Sequence, residues 1–351
     1  MSRRTLASIV ACVLLVLLFA AAAFLPVPYV TMSPGPTINV LGEHAGHEIV
    51  EVSGHRTYPA KGQLRMVTVA VTSPDRQISL AEAMEAWFDP TRAVYPRDVI
   101  YPPTQSVQSV QQQSSVEMTN SQDTAIATAL KHLGYHPKQT TEVLAVSNGA
   151  PAQGELKVHD KILSVNGVHV TDPASVAAAV QKVGVGGTAT FVVRRNGATI
   201  TRKVTTEAAP GKPHHAVVGV VVGTGYDFPF HVSVDINDNI GGPSAGLMFS
   251  LAIYDTLTPG SLTGGAVVAG TGTISPNGSV GPIGGIQQKI VAAADAGATL
   301  FFVPPGNCKE ALSADVNSNE IELVKAPTMD SALHSLQAYA KNRHARLPHC
   351  S

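Results

Sequence analysis

The chain has 351 residues, of which 44% are hydrophobic and 14% are charged, and its formal net charge is −1. This length allows two or three domains with a sizeable core, and the composition excludes a disordered or highly solvated chain. No block of lysine and arginine occurs beyond the extreme N-terminus. The sequence therefore lacks the electrostatic footprint of a nucleic-acid-binding protein, and no nucleic acid partner is expected.

The chain starts with an apolar segment. Arg3 and Arg4 precede an uncharged run at about Leu6–Leu25, which is long enough to cross a bilayer as a helix. Flanking arginines favour a cytoplasmic N-terminus, so residues 1–27 are predicted to be a single-pass anchor in the cell membrane. The alternative is a cleaved signal peptide, because Ala20–Ala23 offers small residues for cleavage. Both interpretations place the bulk of the chain outside the cytoplasm.

Residues 28–120 alternate short β-like runs with one helical pattern. The helix predicted in "SLAEAMEAWFD" ends at Asp89, which precedes a proline. The polar, glutamine-rich stretch "YPPTQSVQSVQQQSS" is interpreted as a linker or surface crossing. The region is therefore described as β-rich with a linker, and it carries no recognisable chemistry. It could also supply strands to a later domain, with the residues between as an insertion.

Residues 121–208 have a regular succession of elements. An amphipathic helix with a glycine C-cap at Gly134 is followed by two strands, and Asn166-Gly167 predicts a hairpin turn. Asp172-Pro173 then begins a helix, and Asn196-Gly197 joins two further strands. This order, together with the wording "NGAPAQGELKVHDKILSVNG", resembles a PDZ domain of the bacterial, protease-associated type.

The PDZ resemblance implies binding of polypeptide segments. PDZ domains add a peptide strand to an exposed sheet edge beside a helix. On this chain that helix carries Val176 and Val180, which fit either groove walls or core positions. Whether the domain recognises C-termini is left open.

Residues 209–342 form a glycine- and valine-rich region of mixed α and β pattern. It contains "NIGGPSAGLMFSLAIYD", in which Ser244 lies among small residues at the start of an apolar helical run. A serine that only caps a helix would not need such small neighbours. A serine that must let a peptide backbone approach would.

A second segment, "GGIQQKIVAAADAGA", predicts a helix with a lysine at or beside its apolar stripe. Lys289 lies among isoleucines and alanines, where lost hydration disfavours the charged amine and lowers its pKa. A neutral amine can act as a general base and activate a serine without histidine. The alternative is a lysine whose stem packs while its amine reaches water.

Together these motifs resemble the Lon family of serine–lysine peptidases. The "GPSAG" turn covers Gly242 to Gly246, and "PIGG" precedes Lys289 by the family's spacing. The resemblance implies that Ser244 is the nucleophile and Lys289 the general base, with Thr271 orienting the lysine amine. It also implies that the backbone at Gly242 and Ala245 serves substrate approach or an oxyanion hole.

The chain departs from that family in two respects. Many Lon enzymes have an aspartate three residues before the serine, where this chain has Gly241, and Asp238 is nearby but not aligned. No G-x-x-x-x-G-K-[ST] phosphate loop occurs in the sequence. The resemblance therefore implies an ATP-independent, membrane-anchored Lon-like endopeptidase without cofactor, acting on unfolded or terminal polypeptide segments with help from its PDZ domain. A homo-oligomer is possible by family analogy only.

Three rival functions remain. The "GPSAG" turn also fits an α/β-hydrolase esterase, which would need an acid and a histidine further along the chain. A PDZ scaffold with an inactive peptidase-like domain is a second alternative, which only Gly241 supports. A metal enzyme is the third, but the histidines lack a metalloprotease motif and no metal is expected. The esterase candidates are Asp295, Asp315, His334, His344 and His349.

The sequence thus predicts an α+β protein with an anchor, a β-rich N-terminal region, a PDZ domain and a Lon-type proteolytic domain. A tail follows at residues 343–351. Cys308 and Cys350 lie on the side of the membrane where disulfides persist, so a bridge that ties down the tail is a hypothesis. Two free, buried thiols are the alternative.

Overall fold

The computed structural model describes residues 3–44, 46–103, 106–236 and 240–350. The fold mixes α and β elements, as predicted from the sequence. A short 3-10 turn, Pro305–Asn307, precedes the eighth helix. The helices of the described residues are α1 Arg3–Ala23, α2 Leu80–Phe88, α3 Arg97–Ile100, α4 Val107–His132, α5 Pro173–Gln181, α6 Gly246–Leu257, α7 Ile286–Asp295, α8 Cys308–Ala311 and α9 Met329–Lys341.

The strands of the described residues are mostly short. Those that precede α4 are β1 Pro26–Val27, β2 Tyr29–Asn39, β3 Glu43–His44, β4 His47–Glu48, β5 Val50–Ser53, β6 Gln63–Val71, β7 Ile78–Ser79 and β8 Ala93–Pro96. Those between α4 and α6 are β9 Lys138–Val146, β10 Lys161–Val165, β11 Val168–His169, β12 Thr188–Arg195, β13 Ala198–Thr205, β14 Glu207–Ala209, β15 Lys212–Val217, β16 Val220–Asp227 and β17 His231–Val234. Those after α6 are β18 Val267–Gly270, β19 Thr273–Ile274, β20 Val280–Gly281, β21 Leu300–Val303 and β22 Glu322–Lys325.

Helix α1 is predominantly apolar after the two arginines with which it begins. It has 21 residues, its mean hydropathy reaches 2.9, and none of its residues is buried in the protein. By length and composition it can span a membrane, as the sequence predicts, although a signal sequence has the same properties.

One of two six-stranded sheets is built from two distant parts of the chain. Its strand order is β22-β21-β18-β6-β2-β8. Strand β18 pairs in parallel with β6 on one side and β21 on the other, while β2 runs antiparallel to β6. Residues 29–96 thus supply three strands to the sheet that also contains residues 267–325, which agrees with one of the two interpretations of this region.

Helices cover both faces of this sheet. Successive side chains of a strand point to opposite faces, and here both sets are apolar and have to be buried. Leu64, Val268 and Phe302 contact one core, which α4, α6 and α9 also fill. Val67 and Ala269 point to the opposite core, where α7 and α8 pack. The result is a three-layer unit, with α6 and α7 on opposite sides of the sheet.

The second six-stranded sheet forms the PDZ unit together with α5. Its strand order is β13-β12-β10-β9-β16, with β11 paired to β10. Both predicted Asn-Gly turns are present, with positive φ at Asn166 and Asn196. Val176 and Val180 are buried in this unit's core, so they are not groove walls. The unit begins and ends with adjacent antiparallel strands, in which Lys138 pairs with Asp227.

Helix α4 corrects the interpretation of "YPPTQSVQSVQQQSS" as a linker or surface crossing, because the helix begins at Val107 within that stretch. Ser106 caps the helix by accepting a hydrogen bond from the Ser109 N–H, and the glutamines that follow are good helix formers. From Met118 onward the helix is largely buried, in part against α6. The predicted boundary at residue 121 therefore falls inside one continuous helix, and the boundary at 208 falls inside β14.

The C-terminal tail is held against the proteolytic sheet. A disulfide joins Cys308 to Cys350, with their Cα atoms 5.0 Å apart. The Lys325 N–H also donates a hydrogen bond to the Pro348 carbonyl. The tail thus covers the outer side of β22.

Candidate active site

Ser244 lies in a sharp turn just before α6. Gly242 in this turn has a φ of +86°, a left-handed conformation that favours glycine. A Cβ on Gly246 would come within 2.7 Å of an Ile274 side-chain carbon, so the helix start packs too closely for a larger residue. The small residues of "GPSAG" are therefore needed for the fold of the turn itself.

Helix α4 supports this turn from outside the family motif. The Gly242 N–H donates a hydrogen bond of 3.0 Å to the Ser114 carbonyl, and the Ser121 hydroxyl donates one of 3.1 Å to the Pro243 carbonyl. A Cβ at Gly241 would overlap the Ser114 hydroxyl. A side chain at position 241 would therefore require the Ser114 hydroxyl to turn away from the turn, and glycine avoids that contact.

Lys289 extends from the second turn of α7 to this serine. Its Nζ lies 2.9 Å from Ser244 Oγ and 3.3 Å from Thr271 Oγ1. The structure thus brings the three sequence-predicted residues together from three different elements. Because Lys289 Nζ and Ser244 Oγ already lie within hydrogen-bonding distance, a proton can pass between them without movement of either element.

The surroundings of Lys289 favour its neutral form. The residue is 3% exposed, and burial lowers the pKa of its amine from 10.5 to about 8. Among the described residues no carboxylate forms an ion pair with it. Asp238, the acid considered from the sequence, lies outside the described residues. The alternative of an amine that reaches water does not hold.

Thr271 closes a short chain of hydrogen bonds. Its hydroxyl donates to the Ser244 carbonyl at 3.0 Å, which leaves its oxygen free to accept from Lys289 Nζ. The Gly272 N–H donates to the same carbonyl at 2.8 Å. A neutral Lys289 can therefore donate to Thr271 while its lone pair faces Ser244.

A cavity of about 450 Å³ opens beside these groups. Ser244 and Lys289 line it, together with Met118 of α4 and residues 66–69 of β6. Strand β18 pairs with β6 only as far as Met66, so the following residues of β6 extend past the end of β18 along the cavity. The cleft is thus bounded by residues more than 100 positions apart in sequence.

The residues needed for an esterase triad are not gathered at Ser244. His334 lies 3.3 Å from Asp330, and both are on α9. His349 of the tail lies 3.7 Å from Glu322 of β22. His344 follows α9, and Asp295 ends α7 on its exposed side. No observation therefore favours the α/β-hydrolase alternative.

Three contributors to the site were not identified from the sequence. Ser114 and Ser121 lie in a segment interpreted as a linker or as the start of an amphipathic helix, and Met66 lies in a region without recognisable chemistry. Their side chains are of ordinary types at ordinary spacings. Only the pairing of β6 with β18 and the packing of α4 bring them to Ser244.

Comparisons with known proteins match two parts of the chain. A family model described as the Lon protease (S16) C-terminal proteolytic domain matches residues 231–337, and a PDZ domain model matches residues 115–206. Curated relatives include Lon protease 2 of Bacillus subtilis, 35% identical over 99 residues, which are 28% of this chain and 17% of that protein. Lon protease homolog 2, peroxisomal, of Caenorhabditis elegans is 33% identical over 117 residues, 33% of this chain and 15% of that protein.

Among solved structures, the PDZ domain of the SdrC-like protein from Listeria monocytogenes is similar at 15% identity and a TM-score of 0.22. It covers 24% of this chain and 86% of that one. The chain spans less than a fifth of the length of the curated relatives named above.

The fold and the matched segments define a class, a protein that combines a PDZ domain with a serine peptidase domain. Residues 231–337 match the Lon protease (S16) C-terminal proteolytic domain, and residues 115–206 match the PDZ domain. The strands that complete the proteolytic sheet, β2, β6 and β8, lie outside the matched segment.

Proposed function

We propose that this protein is an ATP-independent serine endopeptidase that uses Ser244 as nucleophile and Lys289 as general base. The observation that supports this most directly is the 2.9 Å separation of Lys289 Nζ and Ser244 Oγ in a buried setting. Within these 351 residues no phosphate loop occurs, so hydrolysis would proceed without nucleotide.

In the first step a neutral Lys289 accepts the Ser244 hydroxyl proton while the oxygen attacks the scissile carbonyl. The protonated amine then gives that proton to the leaving amine, and an acyl-enzyme forms. A water molecule then enters, loses a proton to Lys289 and attacks the acyl carbonyl. Lys289 returns that proton to Ser244 Oγ as the acid leaves, which restores both groups. Thr271 acts as a positioning residue, because it holds the amine with its lone pair toward the serine.

The developing oxyanion needs N–H donors at the start of α6. Gly242 was one candidate, but its N–H already donates to Ser114, so its contribution is the shape of the turn. Ala245 remains the better candidate, since it caps the first turn of α6, where N–H groups point away from the helix and carry partial positive charge.

The substrate would bind as an extended strand. Residues 67–69 of β6 extend beyond the end of β18 and line the cavity, so their backbone can pair with an added strand. An extended backbone is available only in unfolded or terminal segments when no motor unfolds the substrate. The PDZ domain would present such segments, and α1 would hold the protein in the membrane with its bulk outside the cytoplasm.

Degradation of a reduced, carboxymethylated protein by the full chain in detergent micelles, without nucleotide, tests the catalytic proposal. Ser244→Ala and Lys289→Met should reduce cleavage to background. Two matched controls should stay near wild type: Ser250→Ala, a buried serine on α6, the helix that follows Ser244, and Lys131→Met, a lysine at a surface position. Equal cleavage by Lys289→Met and wild type would exclude the lysine as base.

A peptide boronate distinguishes the enzyme from the inactive scaffold. We expect a covalent adduct on Ser244 in the wild type and none in Ser244→Ala. Absence of both adduct and cleavage would favour the scaffold.

A deletion tests the role of the PDZ domain. Replacing residues 139–226 with a short glycine linker should spare hydrolysis of a short peptide and slow degradation of the unfolded protein. Equal loss or equal retention of both activities would reject that role.

A further inference from the structure

A second cluster of ionisable groups lies between the proteolytic unit and the PDZ unit. Asp123 is on α4, Glu142 is on β9, and His159 is in the loop that leads to β10. His159 Nδ1 lies 2.8 Å from Glu142 Oε1 and 3.7 Å from Asp123 Oδ1. We call these three residues the seam cluster.

Both carboxylates of the seam cluster are removed from water. Asp123 is 4% and Glu142 is 2% exposed. Asp123 Oδ2 is buried and has no hydrogen-bond partner among the described residues. A carboxylate that is buried without a partner costs several kcal/mol unless a proton or a cation compensates for its charge. The nearest lysine, Lys161, is already paired with Asp227 at 2.9 Å.

The local chain is shaped around this cluster. His159 has a φ of +68°, a left-handed conformation that is uncommon for non-glycine residues but that histidine, like asparagine and aspartate, adopts more often than most. In this conformation its ring faces the two acids. On the neighbouring strand β16, a Cβ at Gly225 would overlap the Glu142 carboxylate, so glycine makes room for that side chain.

The donor atoms have the spacing of a metal site. One atom from each of the three residues lies within 4.8 Å of the others. Ligands bound tetrahedrally at about 2.0–2.1 Å from a zinc ion lie roughly 3.3 Å apart, which small side-chain adjustments reach from these positions. The His159 side chain is 55% exposed, so an ion can enter and a water molecule can complete the coordination.

We propose that Asp123, Glu142 and His159 bind a divalent transition-metal ion, with Zn²⁺ as the fitting example. One imidazole and two carboxylates suit such an ion better than the oxygen-only shell that Ca²⁺ and Mg²⁺ prefer. Two carboxylates and a dication form a neutral set, which compensates for their burial.

The ion would join two units of the protein. Asp123 belongs to α4, the helix that also contacts the Ser244 turn through Ser121, two residues earlier. Glu142 and His159 belong to the PDZ unit. A bound ion would therefore fix the PDZ unit against the helix that supports the catalytic turn.

Titration of the chelator-treated full chain with Zn²⁺, followed by calorimetry, tests the proposal. The wild type should bind one equivalent at the seam cluster. Asp123→Asn, Glu142→Gln and His159→Gly should each lower the affinity by more than about 100-fold, beyond the 10–100-fold loss that an outer-sphere partner causes. His159→Gly is useful because glycine retains the left-handed backbone.

Two comparisons make the result decisive. His44→Ala with His47→Ala removes the cross-strand histidine pair of the β3–β4 hairpin, in which His44 lines the cavity beside Ser244, and should leave the seam binding unchanged. Thermal unfolding should move upward with Zn²⁺ in the wild type and not in Asp123→Asn. Undiminished binding in all three seam variants, or no binding by the wild type, would overturn the proposal, as would a site that binds Ca²⁺ and not Zn²⁺.

Discussion

Two buried ionisable sites in this protein differ in what surrounds them. Lys289 is enclosed by apolar side chains and two hydroxyls, and burial alone lowers the pKa of its amine to about 8. Asp123 is as deeply buried, but Glu142 and His159 lie beside it, and burial together with Glu142 raises the pKa of its carboxyl to about 8. Burial pushes both groups toward their uncharged forms. The neighbouring groups determine what each site can do. Beside two hydroxyls, the neutral amine of Lys289 can accept a proton, whereas Asp123 beside a second acid and an imidazole can contribute to binding a cation.

The largest expected effect comes from removing the amine. Lys289→Met keeps most of the packed stem and removes the base, so kcat/KM for peptide hydrolysis should fall by more than about 1000-fold, because general base and nucleophile act as one unit. Steady-state cleavage of a fluorogenic peptide measures this. If the loss were below tenfold, Lys289 would be a packing residue and the contrast with Asp123 would disappear.

The same substitution should stabilise the fold. A lysine with a pKa of about 8 when folded and 10.5 when unfolded costs about 3 kcal/mol at pH 7. The unfolded chain binds more protons between these two values, so wild-type stability should rise with pH from about 8 to 10.5, and the advantage of Lys289→Met should vanish there. Urea unfolding of both proteins at pH 7 and pH 10 gives the two differences; a gain that does not change with pH would contradict this.

The pH dependence of hydrolysis should follow the amine. Well below pH 8 the neutral fraction of Lys289 rises tenfold per pH unit, so kcat/KM should increase about 50-fold from pH 6 to pH 8 and level off near pH 9. The profile should retain its midpoint in Lys131→Met, where a surface lysine is removed. A midpoint near 6.5 would indicate a histidine in place of the lysine.

Removing the hydroxyl of Thr271 should have a smaller effect. Thr271→Val keeps the shape and loses the contacts to Lys289 Nζ and the Ser244 carbonyl, so we expect a decrease of about 30-fold in kcat, equivalent to about 2 kcal/mol. Thr271→Ser should restore most of it. A purely structural role would lower thermal stability in Thr271→Val without changing the pH midpoint, whereas a positioning role should shift that midpoint.

The smallest effect on catalysis is expected from chelation. This experiment shows whether the seam cluster and the Ser244 site act independently. EDTA added to Zn²⁺-loaded protein should lower the unfolding temperature by about 2–4 °C for each kcal/mol of lost binding. Hydrolysis of a short peptide should change little, because none of its proposed catalytic groups is a metal ligand. Complete loss of peptide hydrolysis with EDTA would mean that the Ser244 site itself needs a metal.

The features that could be predicted from the sequence are those that depend on short local patterns. The Asn-Gly turns, the Asp172 helix cap and the "GPSAG" and "PIGG" turns depend on conformations that few residue types adopt, so they are legible in single stretches of sequence. The position of Lys289 beside the apolar stripe of its helix follows from helical periodicity.

The remaining features depend on contacts between distant residues. Strand β6 pairs with β18 across about 200 residues, and the sequence of neither strand indicates which strand it pairs with. The seam cluster combines residues from a helix, a strand and a loop at irregular spacings, so no metal motif appears in the sequence. Helix α4 was missed in its first half because its polar glutamines face outward and carry little hydrophobic period.

The short connection between α1 and the catalytic sheet limits where this protein can act. Only five residues, Phe24 to Pro28, separate the end of α1 from β2, and they span at most about 18 Å. With α1 in a bilayer, the cleft stays within one domain's width of the lipid surface. Freely diffusing chains would have to come to that surface, whereas polypeptides held in the same bilayer would meet the cleft by lateral diffusion, a search in two dimensions.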